Sequence, residues 1–446
     1  MDVFETITKN ALAMVAELIC QRRDFHKHAE SGWFEMRTSS IIARKLTELG
    51  YEVLVGEDVC NREARMGVPE AEALEKSYQR AIEQGADPEF VEYTKHGMTG
   101  VIGILRRGEG PTVALRFDID ALGVIESTDP THRPHAEGFA SVNHGMMHAC
   151  GHDGHATIGL GVAKILMDIK DSLHGTVKLI FQPAEEGVRG AKSIVAKGHL
   201  DDVDYFLGGH LTDKDADAPV QIIGGAYGAL ATCKYDVIYR GKASHAGGVP
   251  QNGRNALVAA ASAVMNLYAI PRHSAGASRI NVGTLNAGTG RNVIADVAKM
   301  EIEVRGETTE INRYMIEYAE RILRTAAEMH GCSCEIKLMG AADSLASDLT
   351  LAQRVHTVCS EKLGMPVGEK PIVKAGGSED ISYMMNRVQE KGGQATFMRL
   401  MTPMSGPAHD RTYDFDEAVL VNSVKALCAA TADLLANKHR QDRTCG

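Results

Sequence analysis

The stretch Met147-His-Ala-Cys-Gly-His-Asp-Gly-His155 places one cysteine and three histidines within nine residues, and the rest of the chain is read outward from it. Cys150 and His152 stand two apart across a glycine, so in a loop their side chains can converge on one ion. Asp153 follows directly and can fix the imidazole tautomer from behind. A thiol and an imidazole also have plain uses, as a buried small hydrophobe and as part of a solvated turn, and the cluster alone leaves both readings open.

Alternation on either side of this stretch predicts an α/β domain. Strands are expected at 100–105, 113–118, 176–182 and 204–208, with helices at 156–169 and 190–197 between them. Strands alternating with helices imply a sheet covered on both faces, with ligands gathered beyond the carboxyl ends of its strands. Upstream, 6–49 reads as helical up to Gly50 and 51–55 as a strand. The charged segment 57–95 reads as an insertion, with Pro69 opening a helix and Asp87-Pro88 ending it.

Downstream the rhythm changes. Strand 229–240, helix 255–268, strands 278–285 and 293–305, helix 310–330 and strand 334–338 give the β-α-β-β-α-β order of a ferredoxin-like sandwich. The first domain then resumes near Asp343 with helix 349–363, a Gly-rich turn at 375–380, strand 394–400 and helix 417–436. The expected division is a discontinuous domain of 1–222 and 339–446 around an inserted domain of 223–338. A chain of 446 residues exceeds what one core usually supports, which agrees with two domains.

Composition narrows the chemistry. A formal charge of -10 with no concentrated basic face argues against nucleic acid and for a small-molecule partner. The window 256–270 is too short to span a bilayer, so no membrane role is expected. The opening Met1–Thr6 carries acid where a secretory signal carries base, and nine irregularly spaced cysteines suit reduced thiols, so a cytoplasmic location is expected.

Each predicted strand of the first domain ends in a side chain able to bind metal or move a proton: Asp118 and Asp120, Glu185-Glu186, His210 and, shortly after 394–400, His409. Any one of them is ordinary at a polar sheet edge. Four strand ends together with the His/Cys loop point to a metal-dependent hydrolase. Two adjacent carboxylates repel unless a cation lies close, and hydrolysis needs one to bind metal while the other takes a proton from water.

The motifs Arg116-Phe-Asp-Ile-Asp-Ala-Leu122, His148-Ala-Cys-Gly-His-Asp153, Phe181-Gln-Pro-Ala-Glu-Glu-Gly187, Gly209-His210, Ser244-His-Ala-Gly247, Gly376-Gly-Ser-Glu-Asp380 and His409 carry a resemblance over nearly the whole chain. They resemble the dinuclear metallo-amidohydrolases of the aminoacylase and carboxypeptidase superfamily, in the branch of hippurate and auxin-conjugate hydrolases. The resemblance implies a mixed-sheet, zinc-peptidase-like α/β catalytic domain with an inserted ferredoxin-like α+β lid and dimerisation domain. It implies two divalent ions, manganese or zinc, held by Cys150, His152, Glu186, His210 and His409, with Cys150 bridging and Glu185 as general base. His245 would reach the neighbouring protomer's site to stabilise an oxyanion, and Asn292 and Arg305 would contact the substrate carboxylate. His148 and His155 would flank the ligands without binding metal. The wider superfamily carries H-x-D where this chain has Asp118-Ile-Asp120, which leaves Asp120 behind the ligands, as Asp153 is expected to be. Pro407 restricts the loop that must bring in His409.

Within the branch, the insertion at 57–95 and the strings His132-Arg-Pro134, Gly145-Met-Met-His148, Asp202-Val-Asp-Tyr-Phe206, Gly276-Ala-Ser-Arg279 and Asp414-Phe-Asp416 resemble A-type subunits of hydrolases that split p-aminobenzoyl-glutamate into p-aminobenzoate and glutamate. The expected substrate is therefore an N-acyl amino acid, and the expected assembly a homodimer through the lid or a heteromer with a B-type subunit. The alternatives are a hydrolase of hippurate-like or auxin-like conjugates, and a metal-binding subunit without catalysis.

Overall fold

Four parallel strands form the centre of the larger sheet, and their shared direction determines where the chemistry collects. In the computed structural model, which describes residues 2–436, the spatial order is Glu52–Val55, Val101–Arg107, Gly175–Gln182, Thr112–Asp118, Tyr205–Asp213, Gln394–Thr402, Ile222–Ile223. Gly175–Gln182, Thr112–Asp118, Tyr205–Asp213 and Gln394–Thr402 pair in parallel, and the outer strands pair antiparallel. Cys445 lies outside the described residues.

The parallel strands are buried on both faces, as their near-continuous apolar runs require. Leu115, Phe117, Leu179 and Phe181 point into the core beneath helices His152–Asp168 and Ala418–Leu434. Ala114, Ile180, Phe206 and Phe397 join Ile381, Met384 and Val388 of helix Ile381–Glu390 on the opposite side. The expected helical run at 6–49 is three helices, Val3–Ala13, Val15–Lys27 and Met36–Leu49, the last closed by Gly50 at φ 92°. The break at 28–35 arises because polar residues there turn inward: the Glu30 carboxylate accepts the backbone N–H groups of Arg37 (3.0 Å) and Thr38 (2.9 Å). The charged insertion forms helix Ala71–Glu83, and its Leu74 and Tyr78 pack against Trp33, Met36 and Ala184.

The four-stranded sheet has the order Ser333–Ala342, Ala231–Arg240, Val297–Gly306, Ser278–Ala287, all antiparallel. Strict alternation divides its faces. Tyr235, Val237, Tyr239, Met300, Ile302 and Val304 pack with helices Ala256–Tyr268 and Thr309–Met329, whereas Lys234, Glu303 and Arg305 stand on the other face. The strand Gly225–Ala229 pairs separately, with Leu345–Ala346 and Ile372–Lys374. Among the described residues no helix is long and apolar enough to cross a membrane.

One buried ion cluster ties the N-terminal helices to the sheet. Arg22, fully buried, donates to Asp153 at 2.8 Å, to Asp414 at 2.8 Å and to Glu417 at 3.3 Å. Burial opposes the guanidinium charge, but the three carboxylates outweigh it and hold its pKa up. His26 adds a second bond to Asp153 at 2.8 Å. Removing one partner of a buried pair strands the other charge. Arg22→Met is therefore expected to cost about 3–5 kcal/mol in urea unfolding. A loss below about 1 kcal/mol, the size of a solvated surface pair, would contradict the network's role.

Candidate metal centre

Because the central strands are parallel, their carboxyl ends deliver Asp118, the segment after Gln182, the end of Tyr205–Asp213 and the loop after Thr402 to one edge. Cys150 sits just before Gly151, whose φ of 89° begins helix His152–Asp168. A Cβ at Gly151 would meet the Tyr413 hydroxyl at 2.8 Å, so the close approach requires glycine. His152 is thus the first residue of a helix rather than part of a loop. Successive helical side chains diverge by about 100°, which turns Asp153 away from His152 and toward Arg22 and His26.

The partner expected in Asp153 is found in Asp120. His152 Nδ1 lies 2.9 Å from the Asp120 carbonyl and 3.2 Å from its carboxylate, which makes Nδ1 the donor, so that in the neutral ring Nε2 carries the lone pair. The same Asp120 carboxylate accepts the backbone N–H of Glu185 (3.1 Å) and of Glu186 (2.9 Å). The turn into this pair passes through Ala184 at φ 51°, held by the buried Glu35 carboxylate on its N–H at 2.8 Å. The helical pattern at the N-terminus carries no sign of that role for Glu35.

His210 makes a 2.6 Å bond from Nδ1 to the Leu211 carbonyl, so its Nε2 faces the Cys150 sulfur, 3.5 Å away, as an acceptor. Burial and the neighbouring His155 hold its pKa well below the usual histidine range, so the ring is neutral. His409 reaches the site despite Pro407: its N–H donates to the Ala149 carbonyl (2.8 Å), and Nε2 lies 3.5 Å from Glu186 Oε1. Its φ of 69° is a left-handed conformation that costs a non-glycine residue about 1 kcal/mol or more and recurs at functional sites.

Four groups of donors have ligand atoms within 4.8 Å of one another: Cys150 with His152 and His210, Cys150 with Glu186 and His409, His152 with Glu185 and Glu186, and Asp118 with His152 and His155; the two triads that contain sulfur share Cys150. His152 Nε2 and Glu186 Oε1 are buried without a hydrogen-bond partner. Soft sulfur, neutral imidazole and carboxylate converging on unbonded lone pairs fit divalent cations, with Cys150 common to both sets. Burial pushes the Cys150 thiol up, so its thiolate depends on a cation. Glu185 is raised well above the carboxylate range by burial and by the charges of Glu379 and Glu186.

His155 is already engaged, with Asp118 at 2.5 Å on Nδ1 and the Leu211 N–H at 2.9 Å on Nε2. His148 is buried with neither ring nitrogen bonded and belongs to neither triad. A cavity of about 420 Å³ opens over the donors, within the ~300–1,000 Å³ range of small-molecule sites. It is lined by Cys150, Glu185, Glu186, His210 and His409, and also by Lys234, Arg305, Glu379 and Arg399. His245 and Asn292 do not line it. They sit together on the exposed lid surface, where the Ala246 N–H donates to the Asn292 carbonyl at 3.0 Å. The N–H groups of Gly247 (3.2 Å) and Gly248 (2.9 Å) donate to His245 Nδ1, so Nε2 carries the hydrogen outward.

The chain is 47% identical to indole-3-acetyl-aspartic acid hydrolase of Enterobacter agglomerans, over 93% of its length and 95% of the relative's. It is 42% identical to the A-type subunit of p-aminobenzoyl-glutamate hydrolase from Escherichia coli (strain K12), over 95% and 97%. Its fold matches the crystal structure of an aminobenzoyl-glutamate utilization protein from Klebsiella pneumoniae with a TM-score of 0.82 at 38% identity, covering 95% of this chain and 97% of that one. The model of peptidase family M20/M25/M40 matches residues 114–433, and the chain belongs to that family.

Proposed function

We propose that this M20-family hydrolase cleaves the amide of an N-acyl amino acid, with p-aminobenzoyl-glutamate as substrate and p-aminobenzoate and glutamate as products. The observation that carries the reading is the pair of donor triads sharing Cys150 beside the buried Glu185. The names of the relatives at 47% and 42% identity support it, since both denote hydrolases of an aromatic acyl group joined to an acidic amino acid. The first of them favours a second reading, an indole-3-acetyl-aspartate type of substrate, with the same chemistry.

In this reading Cys150, His152, Glu186, His210 and His409 hold two divalent ions, manganese or zinc. When bound, such ions lower the pKa of water and polarise the amide carbonyl. Glu185 takes a proton from the attacking water as its oxygen bonds to the carbonyl carbon, then returns it to the amine nitrogen as the C–N bond breaks. Burial and the charges of Glu379 and Glu186 raise its pKa, which favours the protonated form it reaches after taking that proton. Arg305 orients the substrate carboxylate. His245 and Asn292 lie outside their own chain's cavity, which supports their delivery to a second protomer by the 223–338 domain acting as lid and dimer interface. A B-type subunit in place of the second copy and a cytoplasmic setting belong to the same reading.

Glu185→Gln keeps size and polarity but deletes the proton acceptor. A metal-loaded variant is expected to lose at least ~10² in kcat, measured on p-aminobenzoyl-glutamate release. Cys150→Ser is expected to lower metal retention after dialysis with little change in unfolding midpoint, because a serine alkoxide is inaccessible at neutral pH. Unchanged metal stoichiometry would make Cys150 a packing residue. Mixing inactive Glu185→Gln with inactive His245→Ala protomers is expected to restore roughly a quarter of wild-type activity, since half of randomly exchanged dimers carry one intact site of two. Absence of recovery, with subunit exchange verified by mass, would return His245 to its own chain.

A further inference from the structure

Arg399 is the one charged residue of the largely buried strand Gln394–Thr402, and is 9% exposed. Buried guanidinium groups are retained where something pairs them. Arg399 makes no side-chain hydrogen bond or ion pair among the described residues, and its guanidinium lies 5.0 Å from the Phe397 ring centroid. Burial lowers its pKa, and the charge of Glu379 opposes that shift. Arg22, by contrast, is buried and bonded to three carboxylates.

Its position gives the missing partner a place. Arg399 is the parallel-register neighbour of His210, and both line the cavity over the donor triads. Across the cavity the lid sheet supplies Lys234 and Arg305, which share Glu303 at 3.8 Å and 3.0 Å. Cations therefore reach the cavity from both sheets, Arg399 from the one that carries the donors and Lys234 and Arg305 from the other. An N-acyl amino acid with a neutral side chain needs one such cation, whereas an N-acyl aspartate or glutamate presents two carboxylates that diverge from one carbon.

We propose that Arg399 is a specificity residue that binds the side-chain carboxylate of an N-acylated acidic amino acid, opposite the α-carboxylate held by Arg305. The assignment rests on the amidohydrolase reading and goes beyond it by predicting that an acidic amino acid is selected over its amide. A planar guanidinium pairs a carboxylate through two parallel hydrogen bonds, and a site built for that pairing rejects an analogue lacking the charge.

The test compares p-aminobenzoyl-glutamate with p-aminobenzoyl-glutamine on metal-loaded wild type, Arg399→Gln, Arg399→Lys and Lys234→Met. Wild type is expected to favour the glutamate substrate by roughly 10² or more in kcat/KM. In Arg399→Gln that ratio is expected to fall at least ~30-fold, mostly through KM for the glutamate substrate. Arg399→Lys, which keeps the charge but loses the fork, is expected to lose at least ~3-fold of the ratio, and it stands as the test if the glutamine variant does not fold. An unchanged ratio in the folded arginine variants, or a collapse seen only with Lys234→Met, would overturn the assignment. A wild type that hydrolyses neither substrate would overturn the amidohydrolase substrate reading itself, a result distinct from a discriminating wild type whose arginine variant still discriminates.

Discussion

The site depends on one carboxylate. Asp120, 1% exposed, accepts the backbone N–H groups of both Glu185 and Glu186 on its two oxygens, while its carbonyl and Oδ1 receive the His152 ring. Hydrogen bonds to a charged group contribute about 1.5–3 kcal/mol each, more than a neutral contact. Three such contacts to one buried residue fix the glutamate turn and the first helical histidine in a single frame. The left-handed Ala184, pinned from behind by Glu35, is tolerated because that frame over-determines it.

Charge is divided between the two sheets that meet over the cavity. The large sheet supplies thiol, imidazole and carboxylate at the ends of its parallel strands, where the fold gathers ligands. The smaller sheet turns its polar face to the same space and supplies Lys234 and Arg305. Arg399 is a cation on the wall that otherwise carries the donors. The cavity is thus lined by positive charge from both sheets and by the thiol, imidazole and carboxylate groups of the larger one.

Much of this is legible in the sequence because side-chain periodicity reports burial. Alternation at 231–240 and 297–306 marks the ferredoxin-like order, and the recurrence of Asp, Glu and His at strand ends marks the donors. Partner choice is less legible, because periodicity says which face a residue occupies and not what meets it there. Spacing places Asp153 behind His152, but the start of the helix at His152 turns it to Arg22, and the task falls to Asp120, 32 residues earlier. The break at 28–35 carries one readable signal, the turn-prone pair Ser31-Gly32, set between Ala29 and Trp33 at helical spacing. Arg399 carries a readable signal, the one charge in the run Gln394-Ala-Thr-Phe-Met-Arg-Leu-Met-Thr402, whose meaning depends on the cavity beside it.

The Arg22 cluster also sets an order of events during synthesis. Its bonds span 131, 392 and 395 positions, so the one to Asp153 can close early, whereas those to Asp414 and Glu417 wait for the segment after strand Gln394–Thr402. His409, which completes the second triad, is likewise carried by the segment that holds Asp414 and Glu417. A chain ending at residue 342 has Cys150, His152, Glu186, His210 and Asp153 but lacks His409 and two of the three carboxylates that hold Arg22, those of Asp414 and Glu417. Contacts of such long sequence separation form late and slowly, because loop closure must precede any gain from them. The donor set is therefore complete only once the segment carrying His409, Asp414 and Glu417 has docked against the N-terminal helices and helix His152–Asp168.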